Sequence, residues 1–277
     1  MWSLKELLTD VSLISIVDIG AALGETPPYQ PMVDAGWARV IGFEPDPVEC
    51  ERLNNTFGSP HRFFPCFVAD GRPSVFHETN WVLTGSLFHP NSPLLEHFQN
   101  LAEVVTPVAE HPVDTVRLDD IDEIDDVDFF KIDVQGGELA VFQNAQRILA
   151  DTLVIQTEVE FVELYEKQPL FADVDRFLRA NGFQFHTFNG FGMRAFKPLI
   201  PADDINQGFR QFLWSDAIYV RDWMKLDALS QRKLQTYALL AHDLLGSYDL
   251  AHLVLGALDK KTGGNLASAY LDRLIAE

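Results

Sequence analysis

Carboxylates and glycines recur in this chain where buried strands should end. The run Val17-Asp18-Ile19-Gly20-Ala21-Ala22-Leu23-Gly24-Glu25 sets an acid two residues before a glycine and a second glycine four residues later. Glycines after a strand let a ligand approach the backbone, and a helix opening just beyond them would favour an anionic group. The acid changes the chemistry. A pyrophosphate gains nothing from Asp18, whereas a ligand carrying an ammonium group does. A purely structural glycine turn explains the run equally well when it is taken alone.

Glu44 follows at the end of a second apolar run, 24 residues after Gly20, in Glu44-Pro45-Asp46-Pro47. An acid there can accept hydrogen bonds from both hydroxyls of a ribose; the plainer reading is a solvated carboxylate at a strand end. A third run closes in Asp70-Gly71, where Asp70 could accept from an exocyclic amine such as adenine's, although Asp-Gly is also a turn dipeptide. A fourth delivers Lys131-Ile132-Asp133-Val134-Gln135-Gly136-Gly137-Glu138. In an open parallel sheet, ligands lie beyond the carboxyl ends of the strands, so Asp133 should face the same crevice as Asp18. Glu138 fits a catalytic role and compensation of a helix dipole equally. A fifth run ends in Thr157-Glu158-Val159-Glu160, adding carboxylates to the same rim.

These segments need a scaffold, and the pattern supplies one. Short β-branched runs at 13–19, 38–43, 62–69, 128–133, 152–157, 183–188 and 217–221 alternate with helical segments near 48–57, 138–149 and 174–180. That alternation predicts an α/β fold with a mostly parallel sheet. Residues 2–11 carry Trp2, Leu4, Leu7, Leu8 and Val11 at helical spacing, so residues 1–12 read as an N-terminal cover helix. Residues 73–118 are irregular, with a small hairpin expected from 74–77 and 81–83. After Arg221 no strand pattern remains. Residues 222–277 predict three helices, the third capped by Asn265, and read as an appendage serving self-association or a partner.

Composition narrows the function classes. The 277 residues are 47% hydrophobic, with 41 acids against 21 bases and a net charge of −20. A nucleic-acid groove or an anionic membrane surface calls for clustered bases, and the most basic cluster is Lys260-Lys261. The acidic stretch 119–128 holds seven acids in ten residues but lacks the glycine turn of a calcium loop, so it reads as a solvated loop and no metal site is expected. Cys50 and Cys66 cannot form a disulfide framework or a paired-cysteine metal clip. No signal-like or membrane-spanning stretch is recognisable, which points to a cytoplasmic protein.

Taken in order, residues 17–25, Gly42-Phe43-Glu44-Pro45-Asp46-Pro47, Val116-Arg117-Leu118-Asp119-Asp120, residues 130–138 and Trp214-Ser215-Asp216-Ala217-Ile218-Tyr219-Val220-Arg221 resemble the FkbM family of S-adenosylmethionine-dependent methyltransferases. The resemblance covers roughly residues 13–221. It implies a class I methyltransferase (Rossmann-like) fold, a seven-stranded sheet with its last strand antiparallel, and O-methylation of a sugar, glycan or polyketide-type hydroxyl. By motif match, Asp18, Gly20 and Gly24 would hold the methionine end of the donor, Glu44 the ribose and Asp70 the adenine. Ala22, Glu25, Pro45, Gly71 and Asp133 complete the expected cofactor-binding set. The family's small polar residue is alanine at position 22, so one loop contact must come from the backbone.

A hydroxyl acceptor must lose a proton, and a positioned carboxylate or histidine can take it. Asp133 and Glu158 are the favoured carboxylates. Among the histidines, His77 and His89 lie nearest the irregular insert, with His89 the catalytic candidate. Two other functions compete: a nicotinamide-dependent oxidoreductase, for which Glu44 would also suit a ribose, and a non-catalytic adaptor using the C-terminal helices.

Overall fold

The computed structural model describes residues 2–8, 11–22, 24 and 26–276. The chain runs β1 (Ile14–Ile19), α1 (Gln30–Asp34), β2 (Ala38–Phe43), α2 (Pro47–Phe57), β3 (Arg62–Phe64), β4 (Phe67–Val68) and β5 (Pro73–Thr79). It continues through α3 (Ser92–Leu95), α4 (Leu101–Val104), β6 (Pro107–Val116), β7 (Phe129–Ile132), α5 (Glu138–Gln143), α6 (Gln146–Asp151), β8 (Val154–Glu160) and α7 (Phe171–Ala180). The last elements are β9 (Phe183–Met193), β10 (Phe212–Arg221), α8 (Gln231–Leu239), α9 (Tyr248–Thr262) and α10 (Leu266–Ala276).

Seven strands form the central sheet in the order β3-β2-β1-β7-β8-β10-β9, with β10 antiparallel to both neighbours and the remaining pairs parallel. This is the class I methyltransferase arrangement. Every residue of β1 is buried, because both faces of the sheet are covered. On one face Val17, Ile19, Phe130, Ile132 and Ile155 pack with Val141 and Phe142 of α5, Ile148 of α6 and Leu178 of α7. On the other, Ile14, Ile16, Val154, Ile218 and Val220 pack with Leu53 of α2 and with Leu234, Tyr237, Ala238, Leu250 and Val254 of α8 and α9.

The C-terminal helices are therefore a layer of the main core. Leu234, Tyr237, Leu250 and Val254 are covered by the sheet, whereas Leu253 of α9 and Leu271 and Ile275 of α10 stay exposed. Polar contacts reinforce the join. Asp128, fully buried, accepts hydrogen bonds from the Ser15 backbone N–H (3.1 Å), from Lys233 Nζ (2.8 Å) and from both terminal nitrogens of Arg232 (3.3 Å). Asp126 pairs with the same two cations.

Several local expectations change. Within residues 1–12 the described helix is a single 3-10 turn, Leu4–Glu6, closed by a Ser3–Glu6 capping box. The apolar run 62–69 is not one strand. Pro65 and Cys66 break it, and β4 leaves the main sheet to join a separate three-stranded sheet, β4-β6-β5. The hairpin partner of β5 is β6, about 30 residues on, and Val82–Thr84 is a 3-10 turn. The helix expected over 138–149 is interrupted at Asn144 and Ala145. The acidic stretch is only partly a solvated loop: Asp126 and Asp128 carry the pairs above, and both oxygens of Asp119 accept from the Arg147 backbone N–H at the start of α6.

A third apolar cluster, Leu95, Phe98, Leu101, Val105, Tyr165 and Leu213, forms a cap above the carboxyl edge of the sheet. No helix among the described residues is long and apolar enough to cross a membrane.

Candidate active site

Between the carboxyl ends of the strands and this cap lies a cavity of about 1230 Å³. Its floor is the loop after β1, the end of β2 and the turn after β7, at the switch point between β1 and β7. Of the residues expected in the site, Asp18, Gly20, Ala22, Gly24, Glu44, Pro45, Asp133 and Glu158 line it. Glu25 lies outside the described residues.

Three expected residues do not line the cavity. Because β4 departs from the main sheet, Phe67 and Val68 form the wall, while Asp70 and Gly71 become the turn into β5. Asp70 accepts from the Arg72 backbone N–H at 3.1 Å, and Gly71, at φ +81°, donates to Thr115 Oγ1. The turn reading of Asp-Gly is the one this geometry matches. His89 also stands outside, its Nδ1 2.9 Å from the Pro90 carbonyl and its ring edge-on to His77. The helix expected directly after the glycines is displaced too: α1 opens only at Gln30, so among the described residues no helix terminus follows the glycines directly.

Gly20 has a defined task. Its φ is +78°, and a Cβ there would meet the Asp133 carbonyl at 2.0 Å. The loops after β1 and β7 thus cross in contact, and only glycine permits it. Gly20 and Ala21 donate their N–H groups to the Phe43 carbonyl (3.0 and 3.1 Å), tying the first loop to the end of β2. Glu44 stands beside that junction, 7% exposed. One carboxylate oxygen accepts from the Asp46 backbone N–H at 2.9 Å. Burial raises its pKa, opposed by the backbone hydrogen bonds from Asp46 and Ala22.

Asp18 reaches the cavity with both oxygens engaged: Tyr29 Oη donates at 2.5 Å and Lys131 Nζ at 3.1 Å. Burial alone would lower the Lys131 pKa, but Asp18, Asp133 and Asp216 outweigh it and hold the ammonium charged. The turn after β7 brings the next pair of acids together. Gln135 Nε2 donates to Asp133 Oδ1 and to Glu158 Oε2, each at 2.7 Å. Gln135 takes φ +56°, a left-handed conformation that a non-glycine residue holds only when its surroundings impose it. Ser86 Oγ donates to the Gln135 carbonyl at 2.7 Å, and Tyr165 Oη lies 3.1 Å from Gln135 Oε1. The irregular insert therefore docks on this turn.

Glu138 folds back to accept from the Val134 and Gly136 backbone N–H groups, and burial pushes its pKa up to about 7. It braces the turn without lining the cavity. Glu158 has its pKa raised well above the usual carboxylate range by burial and then by the charges of Asp133 and Glu160.

The upper half of the cavity is different in kind. Phe76, Trp81, Leu83, Leu95, Leu101 and Val105 line it from the insert, and Phe191 and Trp214 from the β9–β10 side. Of the remaining aromatics in that connection, Phe212 stacks on Phe191 (4.2 Å) and Phe196 on Phe98 (4.5 Å), so they pack the wall and cap. One feature had no signal in the sequence: His111 Nε2 lies 2.7 Å from Glu78 Oε2, and both line the cavity. The two are brought together only by the β5–β6 register.

A domain model described as the methyltransferase FkbM domain matches residues 18–185, more than half of the chain. The chain belongs to the FkbM methyltransferase family. Among solved structures, this FkbM chain is similar to a putative methyltransferase from Thermoplasma acidophilum, at 9% identity and TM-score 0.39, over 76% of this chain and 69% of that one. It is also similar to precorrin-6y C5,15-methyltransferase from Geobacter metallireducens GS-15 (11% identity, TM-score 0.35, 78% and 82% coverage). A third is an S-adenosylmethionine-dependent methyltransferase from Aquifex aeolicus (10% identity, TM-score 0.34, 78% and 87% coverage). No curated protein matches the sequence. Family membership rests on the domain match, and it carries with it the expected methyl donor, S-adenosylmethionine.

The FkbM cavity suits that molecule. Among the described residues that line it, carboxyl side chains outnumber lysine and arginine seven to two: Asp18, Glu44, Asp46, Glu78, Asp133, Glu158 and Asp216 against Lys131 and Arg194. A ligand bearing a sulfonium and an ammonium is favoured by such a field, and a pyrophosphate is repelled.

Proposed function

We propose that this chain is an S-adenosylmethionine-dependent O-methyltransferase acting on a hydroxyl of a sugar, glycan or polyketide-type natural product. The observation that carries the reading is a single cavity with two unlike lobes, one acidic at the strand ends and one apolar and aromatic beneath the cap. Its volume is above that of an ordinary small-molecule site, about 300–1,000 Å³, which leaves room for a donor and an acceptor side by side. Aromatic faces such as Trp81 and Trp214 suit the C–H faces of a sugar or a reduced polyketide ring.

The donor supplies a methyl group already activated on sulfur, so the protein's work is alignment and proton removal. Glu44 receives the ribose hydroxyls. Asp133, held by Gln135, faces the ammonium end, and Asp18 supports it through Lys131. Glu158, on the other arm of Gln135, accepts the proton of the acceptor hydroxyl. Its raised pKa gives it greater affinity for that proton than a surface carboxylate has, and a cation bound beside Asp133 favours its ionised form. His89 has no part in this scheme.

A nicotinamide cofactor fits less well, since its two phosphates would meet the acidic lobe without a helix N-terminus to receive them. Thermal-shift titration with S-adenosylhomocysteine and with NAD separates the two, because a ligand that binds only the folded state raises the melting point. The proposal requires a shift with the first alone. Incubation with labelled donor and a panel of hydroxylated sugars and polyketides then tests the acceptor class; methyl transfer to nitrogen or carbon in place of oxygen would overturn it.

A further inference from the structure

The geometry points to a zinc site on the outer face of the β5–β6 sheet, formed by His77, His89 and Glu110. One ligating atom from each lies within 4.8 Å of the other two. Strand alternation separates this group from the cavity: Phe76 and Glu78 line the cavity, so His77 between them points to the opposite face. Glu110 is the residue directly across the ladder from His77. His89 arrives from the segment that follows the His77–Ser86 bridge.

Three details favour a metal over a chance surface cluster. His77 Nδ1 and Glu110 Oε1 are 3.3 Å apart. Two ligands bound at the usual 2.0–2.1 Å around a tetrahedral zinc stand about 3.3 Å from each other. His89 Nδ1 is 2.9 Å from the Pro90 carbonyl. Donation from Nδ1 to that carbonyl would leave Nε2 as the ligating nitrogen, the arrangement in which metal-bound histidines are usually held. A further carboxylate, Glu166, stands 3.8 Å from the same Nδ1, and its backbone N–H donates to the His89 carbonyl, fixing that segment. Two imidazoles and a carboxylate suit a borderline divalent ion such as zinc, with water completing four-coordination. The ion would pin residues 85–87, which line the cavity, to the β5–β6 sheet, so its task is structural.

The test uses the full chain without a histidine tag. Calorimetric titration with zinc sulfate should show one equivalent bound and a raised melting temperature. Cobalt(II) in its place should give the visible absorption of a four-coordinate ion. Glu110→Gln and His89→Asn alter exposed side chains and should each weaken binding at least about 100-fold, at or beyond the 10–100-fold typical of losing a supporting residue. His97→Gln, an exposed histidine elsewhere, should bind zinc as the parent does. The site is refuted if the parent takes up no zinc at tens of micromolar, or if either ligand variant binds it undiminished.

Discussion

Lys131 Nζ lies 3.1 Å from Asp18 Oδ1, across two neighbouring strands whose register sets the residues directly opposite each other. The acid that leads into the glycine loop is thus neutralised by the strand that leads into Asp133. Removing one member of a buried ion pair leaves an uncompensated charge, at a cost of about 3 kcal/mol or more, whereas removing both is far milder. Asp18→Asn should therefore lower stability by about that amount, and adding Lys131→Met should restore most of it. Denaturant unfolding of the single and double variants measures the difference; an additive loss would show the pair to be unimportant.

Glu44 offers a separate readout. Deleting its two charge-assisted hydrogen bonds to a ribose should cost about 2–4 kcal/mol, or roughly 30- to 1000-fold in affinity. Calorimetry of S-adenosylhomocysteine on Glu44→Ala decides it. Unchanged affinity would remove Glu44 from the donor site.

The two acids bridged by Gln135 should separate kinetically. Asp133→Asn is expected to weaken donor binding. Glu158→Gln should leave donor affinity within a few-fold and slow the chemical step by about 10²–10⁴-fold. If Asp133→Asn binds normally but fails to turn over, the two roles are reversed.

The buried acids also set a pH dependence. Glu138 rises to about 7 from 4.5 on folding, and Glu44, Glu158 and Glu160 rise as well, all chiefly through burial. Between the unfolded and folded values the native state binds more protons, so stability falls as pH climbs through that window. The melting temperature of the ligand-free protein should therefore increase on going from pH 8 to pH 6. A flat or opposite trend would mean that these carboxyls stay ionised.

A chain ending at Arg221 should fail to fold. It would leave Asp128 buried without Arg232 and Lys233, and Ile14, Ile16, Val154 and Val220 without the helices that cover them. Circular dichroism and S-adenosylhomocysteine binding of that truncated chain test the expectation. A folded, donor-binding product would show the helices to be a detachable appendage.

Short-range pattern was enough to reveal the strand–loop–helix alternation and the acids Asp18, Glu44, Asp133 and Glu158 at or near the strand ends. Those features depend on periodicity and on what must follow a buried strand, and both are local properties of the chain. Tertiary structure alone decided which of the acids are free to meet a ligand. Asp18 is engaged by a lysine 113 residues away, Asp128 by a helix more than 100 residues on, and Asp70 leaves the site because Pro65 and Cys66 divert the chain into a second sheet. The His111–Glu78 pair and the His77–His89–Glu110 group likewise arise from β5–β6 register and loop docking. Pairings of that kind are set by the burial and hydrogen bonding of the whole sheet, and the spacing of residues along one strand carries no trace of them.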